Sequence, residues 1–472
     1  MKLVLSVVEY SHIMESELRR LPSVDKVISD ERIKQLGVHY PHDLIVDLVR
    51  RRLEEARLAI RDGNPSPSLD KIVNSIRSCA EELTQPSLQR VINAGGVILH
   101  TNLGRASLSK EATRAMEVAA GYCNLEFDLD SGARGSRDVH IEKLLCQLTG
   151  AEAAMVVNNN ASAVLLALTV LAKRKEVIVS RGQAVEIGGG FRIPDVMRQS
   201  GAKLIEVGTT NCTYIDDYEQ AISPRTAALL RVHASNFRVE GFTQSISLED
   251  LVALGKKHDI PVLDDLGSGC LLDTTVFGLA AEPMVQQSVS LGVELACFSG
   301  DKLVGGPQAG IIVGSKALVD KLRKHALARA VRIDKIRLAG LAATFIHYLK
   351  GEAVEKIPAW RMISMPLDEI ERRAGHWAKA LGDLAHVVEG ETMVGGGSLP
   401  GSTLKTRLVA ISGKQGRHNI ASSLARKLRH NRPPVIGRIA GDTLLLDPRT
   451  VLGEEDDIVL QAIKTATASP NR

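Results

Sequence analysis

Phe298-Ser-Gly-Asp-Lys-Leu-Val-Gly-Gly-Pro-Gln-Ala-Gly310 sets one lysine, Lys302, between an apolar run and a glycine-rich turn. The run at residues 295–298 is typical of a strand, and no helix can continue through Gly305-Gly306-Pro307. We therefore expect Lys302 to follow a strand end and to begin a loop. A partly desolvated lysine in that place would have a lowered pKa and would attack a carbonyl as a free amine. An ordinary surface-loop lysine is the other interpretation that these residues allow.

A second stretch, Ile260-Pro-Val-Leu-Asp-Asp-Leu-Gly-Ser-Gly269, is an apolar strand that ends in carboxylates and small residues. This pattern predicts a parallel strand that delivers a polar group to the C-terminal edge of a sheet. A pyridoxal phosphate enzyme needs a lysine that binds the aldehyde and a carboxylate that keeps the pyridine nitrogen protonated. We therefore predict a pyridoxal 5′-phosphate site formed by Lys302 and Asp265, with Ser299 as a further cofactor contact.

The phosphate of such a cofactor needs a helix N-terminus. Val156-Val-Asn-Asn-Asn-Ala-Ser-Ala-Val-Leu-Leu-Ala-Leu168 passes from an apolar strand end through three asparagines into an alanine- and leucine-rich run. Backbone N–H groups at the start of that helix would face an anion. The predicted phosphate contacts are Asn158, Asn159, Asn160 and Ala161, and a plain asparagine N-cap is the alternative.

From Val91 to about Gly314, apolar strands alternate with helical segments, which predicts an α/β fold with a mainly parallel sheet. The predicted strands cover residues 153–157, 177–180, 203–207, 227–232, 260–264 and 310–313. His233 follows one of these strands directly. At the C-terminal edge of such a sheet it would stack on or hydrogen-bond the cofactor ring, and a purely structural histidine is equally compatible with the sequence.

Five longer segments closely resemble the bacterial selenocysteine synthase family, the L-seryl-tRNA(Sec) selenium transferases. They are Arg90-Val-Ile-Asn-Ala-Gly-Gly-Val-Ile-Leu-His-Thr-Asn-Leu-Gly-Arg105, Arg134-Gly-Ser-Arg137, Ser180-Arg-Gly-Gln-Ala-Val-Glu-Ile-Gly-Gly189, Ser299-Gly-Asp-Lys-Leu-Val-Gly-Gly-Pro-Gln-Ala-Gly310 and Val435-Ile-Gly-Arg-Ile439. The resemblance runs from about Leu21 to Leu446. The chain departs from the family where it has Gln183 in place of a glutamate and Cys212 in place of an arginine.

The resemblance implies a fold-type-I pyridoxal phosphate transferase that converts seryl-tRNA(Sec) to selenocysteyl-tRNA(Sec) through an aminoacrylyl-tRNA intermediate. It implies selenophosphate as the selenium donor and a homo-oligomer built as a ring of dimers. Lys302, once released from the cofactor, would act as a general acid and base, and Asp301 would assist it. Arginine binds phosphate oxygens in bidentate fashion, and the family's arginines fall on Arg105, Arg329 and Arg332. A shared helix face would let Arg329 and Arg332 hold one anion, although surface salt bridges or tRNA contacts would also explain them.

The predicted domains are a helical N-terminal domain at 1–90, a large pyridoxal-phosphate-binding α/β domain at 91–350 and a smaller α/β domain at 351–472. Only the resemblance makes the first domain the tRNA-binding one, because its charges nearly balance. The last domain contains Gly395-Gly-Gly-Ser398 and a predicted strand pair at 435–439 and 443–447. Within enzymes, a related ammonia-lyase or dehydratase for a small amino acid or amino sugar acid is the alternative, and a non-catalytic tRNA-binding protein is the alternative outside them.

Composition limits the other possibilities. The 472 residues are 44% hydrophobic with a formal net charge of +4, which predicts a globular protein and argues neither for nor against a nucleic-acid partner. The six cysteines show no C-x-x-C or Cys/His spacing, so we expect no metal site and no disulfides. Met1–Val8 is too short for a signal peptide, and no segment reaches the roughly 18 apolar residues of a membrane span. We therefore expect a cytoplasmic protein with no membrane or DNA partner.

Overall fold

The computed structural model describes residues 7–188, 190–412 and 420–468. Most of the apolar run Met1–Val8 lies outside these residues. The chain forms two units, residues 1–90 and 91–472. The first unit contains the helices α1 (Val7–Arg20), α2 (Val24–Ile28), α3 (Glu31–Leu36), α4 (His42–Arg61) and α5 (Leu69–Thr84). Its core includes Ile45 and Val49 of α4 and Ile72, Ile76 and Ala80 of α5, which recur every four residues on each helix.

The second unit combines two main sheets with helices. Its strands are β1 (Ile92–Asn93), β2 (Val97–Leu99), β3 (Ala153–Val157), β4 (Glu176–Ser180), β5 (Glu186–Gly188), β6 (Phe191–Arg192), β7 (Lys203–Val207), β8 (Thr226–Val232), β9 (Val262–Gly267), β10 (Leu295–Ser299), β11 (Gly310–Gly314), β12 (Ala385–Gly395), β13 (Thr403–Ser412), β14 (Val435–Ile436), β15 (Arg438–Ala440) and β16 (Thr443–Leu446). Its helices are α6 (Lys110–Ala120), α7 (Glu142–Thr149), α8 (Asn160–Ala172), α9 (Ile193–Ser200), α10 (Ile215–Ala221), α11 (Leu248–His258), α12 (Val285–Leu291), α13 (Lys316–Lys324), α14 (Ala326–Ala330), α15 (Lys335–Leu349), α16 (Ala353–Lys356), α17 (Pro358–Ser364), α18 (Leu367–Leu381), α19 (Ile420–Arg429) and α20 (Asp456–Ala468).

The larger sheet has seven strands in the order β3-β11-β10-β9-β8-β4-β7. Its ladders are parallel except where β11 pairs with β10 and β3. Alternate residues of one strand enter different cores, as when Met155 and Val157 join one apolar cluster and Ala154 and Val156 the other. Burial of both faces explains why the strands read as continuous apolar runs. The predicted α/β fold with a mainly parallel sheet is confirmed.

The register of this sheet brings its polar strand ends together. Asp265 of β9 lies opposite Val232 of β8 and opposite Cys297 of β10. His233 follows Val232 directly, and Ser299 ends β10 two residues after Cys297. Because the three strands are parallel, their carboxyl ends meet at the same edge, where a doubly wound sheet binds its ligand.

The second sheet has five strands in the order β15-β16-β13-β12-β2. Strand β2 pairs in parallel with β12, and β1 pairs in parallel with β14, so residues 92–99 join strands from the C-terminal third of the chain. The strand predicted at 435–439 is wrong as one element, because β14 pairs with β1 whereas β15 forms the hairpin with β16. The division of this unit into two domains stays a prediction.

Candidate active site

Lys302 lies in the turn after β10, and its side chain is buried, with 5% of the residue exposed. The surface-loop interpretation of this lysine is therefore wrong. The pKa of Lys302 is lowered from its ordinary value, first because burial disfavours the ammonium charge and second because Arg105 is positive. The turn thus presents an amine that loses its proton more readily than an exposed lysine, as a carbonyl nucleophile must.

A cavity of about 480 Å³ surrounds this amine at the C-terminal edge of the large sheet. Nine of the residues predicted for the site line it, although they come from five separate segments of the chain. They are Arg105, Asn159, Asn160, Ala161, His233, Asp265, Ser299, Asp301 and Lys302. Asn158, Arg329 and Arg332 do not line this cavity.

Asp265 is buried at the end of β9, with 3% of the residue exposed. Its Oδ1 accepts a hydrogen bond of 2.7 Å from Nδ2 of Asn160, which begins α8. Burial raises the pKa of the Asp265 carboxyl to about 6, while the Asn160 hydrogen bond and the Lys302 charge act in the opposite direction. A buried carboxylate with a raised pKa favours a positively charged neighbour, and a protonated pyridine nitrogen is such a group.

The N-terminus of α8 opens onto the same cavity. Asn159 caps the helix, since its side chain accepts from the backbone N–H of Ser162, so the N-cap alternative describes its side chain correctly. Oδ1 of Asn160 is buried and has no hydrogen-bond partner among the described residues. The helix N-terminus fits a phosphate, and the unbonded amide oxygen, which can only accept, fits a hydrogen-bond donor on the same ligand. These residues therefore fit pyridoxal 5′-phosphate, which α8, Asp265 and Lys302 would hold together.

Asn158 points elsewhere. Its Oδ1 accepts from Nη2 of Arg337 at 2.8 Å, and its backbone N–H donates to the carbonyl of Val331. Arg337 also donates to the backbone carbonyl of Asn158. Asn158 thus connects the end of β3 to α15 and to the segment before it, and its predicted contact with the cofactor stays a prediction.

His233 faces the cavity from the end of β8. Its backbone N–H donates to the carbonyl of Asp265 at 2.8 Å, which fixes the residue beside the buried carboxylate. Nε2 of its ring lies 3.2 Å from Oε1 of Glu282, and that carboxylate is almost fully buried. Glu282 was not predicted from the sequence, because it comes from a loop between β9 and α12.

Arg105 and Asp301 form an ion pair beside Lys302. Nη1 of Arg105 donates to Oδ2 of Asp301 at 2.9 Å, while Oδ1 of Asp301 is buried without a hydrogen-bond partner among the described residues. Arg105 has a φ of +65°, a backbone conformation that residues other than glycine rarely adopt. Asp301 thus contacts a cationic side chain, and its predicted part in proton transfer stays a prediction.

Arg329 and Arg332 line a different cavity of about 490 Å³. The predicted helix face is wrong, because α14 ends at Ala330 and Arg332 lies beyond it. Nη1 of Arg332 is 3.3 Å from Oε1 of Glu126, with which Arg134 and Arg137 also form ion pairs. Arg329 and Arg332 therefore share one arginine-rich cavity, and Lys302 does not line that cavity.

The glycine run of the C-terminal sheet was not predicted to belong to the site. Gly396 and Gly397 follow β12 and line the Lys302 cavity. Gly397 has a φ of +82°, and a Cβ added there would lie 2.7 Å from Nζ of Lys302. The run Gly395-Gly-Gly-Ser398 was the available signal, since consecutive glycines often mark a close approach of the backbone to another group.

The two departures from the family do not line the Lys302 cavity. Oε1 of Gln183 accepts from the backbone N–H of Val232 at 2.9 Å, just before His233. Sγ of Cys212 contacts the carbonyl of Phe242 at 3.7 Å. All six cysteines are free. Within residues 7–188, 190–412 and 420–468, no cluster of three His, Cys, Asp or Glu side chains is arranged to hold a metal, and none of the described helices could cross a membrane.

A mainly parallel sheet that joins a buried lysine, a buried carboxylate and a helix N-terminus in one cavity defines the class of fold-type-I pyridoxal phosphate enzymes. Within this class, the family model described as L-seryl-tRNA selenium transferase matches residues 91–452, and the one described as the N terminus of selenocysteine synthase matches residues 18–57. The chain belongs to the L-seryl-tRNA selenium transferase family, as its sequence motifs predicted.

Curated relatives agree over nearly the whole chain. The L-seryl-tRNA(Sec) selenium transferase of Carboxydothermus hydrogenoformans is 47% identical over 94% of this chain and 96% of its own length. That of Geobacter sulfurreducens is 46% identical over 94% of this chain and 98% of its own length. Among solved structures, D-glucosaminate-6-phosphate ammonia-lyase superimposes with a TM-score of 0.57 at 21% identity, covering 82% of this chain and 97% of that one. This last likeness is one of fold.

Proposed function

We propose that this enzyme converts seryl-tRNA(Sec) to selenocysteyl-tRNA(Sec) with pyridoxal 5′-phosphate as its cofactor. The observation that carries the proposal is that relatives of that name are 46–47% identical over nearly their whole length. The cavity agrees with it, because Lys302 and Asp265 lie where the reaction needs a nucleophilic amine and a buried carboxylate. The ammonia-lyase alternative is supported by fold alone.

Each residue of the cavity has a task that follows from its environment. The cofactor, when bound, accepts electrons from the seryl α-carbon, so that the α-proton and then the β-hydroxyl can leave. Lys302 would bind the cofactor aldehyde through an amine that burial makes easier to deprotonate. When it is not bonded to the aldehyde, Lys302 would serve as the base that takes the α-proton. Asp265 would stabilise a protonated ring nitrogen, and the N-terminus of α8 would hold the phosphate.

We assign the selenium donor, selenophosphate, to the neighbourhood of Arg105. Arg105 lines the Lys302 cavity, and its guanidinium is bonded on one side by Asp301. An anion at this place would gain charge-assisted hydrogen bonds from the remaining donors. Arg329 and Arg332 lie in the other cavity of the same chain, so their part in donor binding depends on a second copy of the protein.

A homo-oligomer, proposed as a ring of dimers, is supported by an exposed apolar groove. The groove lies between α6 and α15 and has a volume of about 540 Å³. Val118 on its wall is 71% exposed, and the nearby Tyr122 is fully exposed. Apolar surface of this kind is usually covered by a protein partner. We place tRNA binding in the N-terminal unit and the enzyme in the cytoplasm, where its tRNA substrate is found.

The test uses the full-length protein loaded with pyridoxal phosphate. Seryl-tRNA(Sec) and selenophosphate should yield selenocysteyl-tRNA, identified by mass spectrometry of the aminoacyl ester. Seryl-tRNA should change the visible absorbance of the bound cofactor, and free serine should not. Deamination of free serine or an amino sugar acid, without any selenocysteyl-tRNA, would instead establish the lyase activity.

A further inference from the structure

The ring of His233 has a buried carboxylate behind it. Oε1 of Glu282 lies 3.2 Å from Nε2 of His233, and the Glu282 side chain is 3% exposed. Among the residues that the structure describes, Glu282 is the side chain that hydrogen-bonds this ring. A carboxylate is rarely buried unless a partner compensates the loss of water, so the pair accounts for the position of Glu282.

Glu282 is itself held in place. Its backbone N–H donates to Oγ1 of Thr274 at 3.0 Å, and that hydroxyl donates to the carbonyl of Ala280 at 2.6 Å. Thr274 is buried, with 1% of the residue exposed. The loop therefore fixes the direction from which the carboxylate approaches the histidine.

The hydrogen bond to His233 is the direct contact that Glu282 makes with the site. Its negative charge also acts on the pKa of Lys302, where it is the smallest of the contributions. Glu282 lines a cavity together with His233, whereas His233 also lines the Lys302 cavity. A carboxylate accepts hydrogen bonds and cannot donate them, so the ring nitrogen that faces it must carry a proton. That leaves Nδ1 as the nitrogen free to accept from a group on the cavity side.

We propose that Glu282 is a positioning residue that holds His233 with its proton on Nε2 and its Nδ1 lone pair available to the cofactor and seryl group. The inference rests on the proposed function, since it assigns His233 a place beside the reacting seryl group. Glu282→Gln would test it well, because the amide has the same shape as the carboxylate but can turn an N–H toward Nε2 and so move the ring proton to Nδ1. The carboxylate thus selects one of the two neutral forms of the ring.

The experiment is a double-mutant cycle on the full-length, cofactor-loaded enzyme. Glu282→Gln should lower kcat for selenocysteyl-tRNA formation by about 10- to 100-fold, the range in which one oriented acid–base group contributes, and should change KM for seryl-tRNA by less than about twofold. His233→Gln should lower kcat at least as much. Adding Glu282→Gln to His233→Gln should lower kcat by less than about twofold further, because the carboxylate acts mainly through the ring and its charge effect on Lys302 is small.

Two more variants sharpen the result. Glu249→Gln makes the same chemical change on an exposed residue that lines a cavity with Glu282, and it should leave turnover unchanged. Thr274→Val removes the hydroxyl that holds Glu282, so it should lower kcat in the wild-type background and have no effect in the His233→Gln background. This variant also tests the pair if Glu282→Gln does not fold.

Independent, multiplying losses from Glu282→Gln and His233→Gln would overturn the inference, as would a wild-type kcat in either variant. A loss confined to KM, or a loss of cofactor absorbance alone, would show a structural role and also overturn it. If the wild-type enzyme makes no selenocysteyl-tRNA, the proposed function fails. The cycle is then read from the absorbance wavelength of variants that keep the bound cofactor, where non-additive shifts support the pair and additive shifts refute it.

Discussion

Replacement of Gly397 by alanine should disable Lys302 without unfolding the protein. The added Cβ would lie 2.7 Å from both Cε and Nζ of Lys302, and 3.3 Å from its Cδ. Non-bonded carbon atoms pack at about 3.5–4.0 Å, so one of the two groups must move by about 1 Å. The backbone of the loop is less free to move than the end of a lysine side chain. We therefore expect the amine to be displaced.

Two effects of this substitution have different sizes. A reacting group misplaced by about 1 Å loses on the order of 100-fold in rate, so kcat should fall by about 10- to 100-fold. A Cβ at the φ of +82° also strains the backbone and lowers the free energy of unfolding by about 1–2 kcal/mol. The fall in stability is small, and the fall in turnover is large.

Gly401→Ala is the matched control. Gly401 has a φ of +75°, and nothing lies within 4 Å of a Cβ added there. Its alanine variant should lose the same stability and keep wild-type turnover. Urea unfolding, cofactor absorbance and selenocysteyl-tRNA formation would be measured for both variants. Equal losses of turnover, or full activity of Gly397→Ala, would refute the steric argument.

Four other predictions follow from the site. Lys302→Ala should abolish turnover and the absorbance of the lysine-bound cofactor. The circular dichroism spectrum should not change, because the loss of a buried amine leaves the apolar cores intact. Lys316→Ala changes an exposed lysine and is the control, and retained activity of Lys302→Ala would contradict the cofactor assignment. Without cofactor, Asp265→Asn should match the wild type in free energy of unfolding near pH 4 and exceed it by about 3 kcal/mol at pH 7. The Asp265 carboxyl has a pKa of about 6 in the folded protein and 3.8 in the unfolded chain, so the wild type loses stability as the pH rises between these values. Parallel curves of stability against pH for the two proteins would refute this. Removal of residues 1–90 should leave a folded, cofactor-loaded protein that no longer binds tRNA, and wild-type tRNA affinity in a gel-shift assay would misplace the tRNA site. The loss of one charge-assisted hydrogen bond should raise the apparent KM for selenophosphate by about 10- to 150-fold and leave cofactor absorbance unchanged in each of the variants Arg105→Ala, Arg329→Ala and Arg332→Ala. An unchanged KM for selenophosphate in all three variants would refute the assignment of these arginines to the anion.

The core of the site could be predicted because its signals are local in the sequence. Lys302 and Asn160 each come three residues after an apolar strand, and Asp265 lies in the second half of another. Parallel strands must bring such ends to one edge, so three short patterns were enough to place the three side chains in one cavity. His233 belongs to the same set for the same reason.

The rest of the site depends on contacts between distant parts of the chain. Glu282 and Gly397 lie in loops, and nothing in their neighbouring residues indicates which side chain they meet. Arg105 reaches Asp301 across 196 positions of sequence. Spacing alone also placed Arg329 and Arg332 on a helix that in fact ends between them. Local periodicity cannot fix such pairs, because the fold decides them.

Burial acts on the two central ionisable groups in opposite directions, and both changes suit one ligand. It raises the pKa of Asp265 and lowers that of Lys302, because a low-dielectric cavity disfavours both charged forms. The amine thereby approaches the neutral form that attacks an aldehyde, while the carboxylate gains most from a cationic neighbour such as a pyridinium ring. A substitution that admitted water to the cavity would weaken both effects together. The glycines that bring the C-terminal loop onto Lys302 therefore contribute to its reactivity through exclusion of water as well as through position.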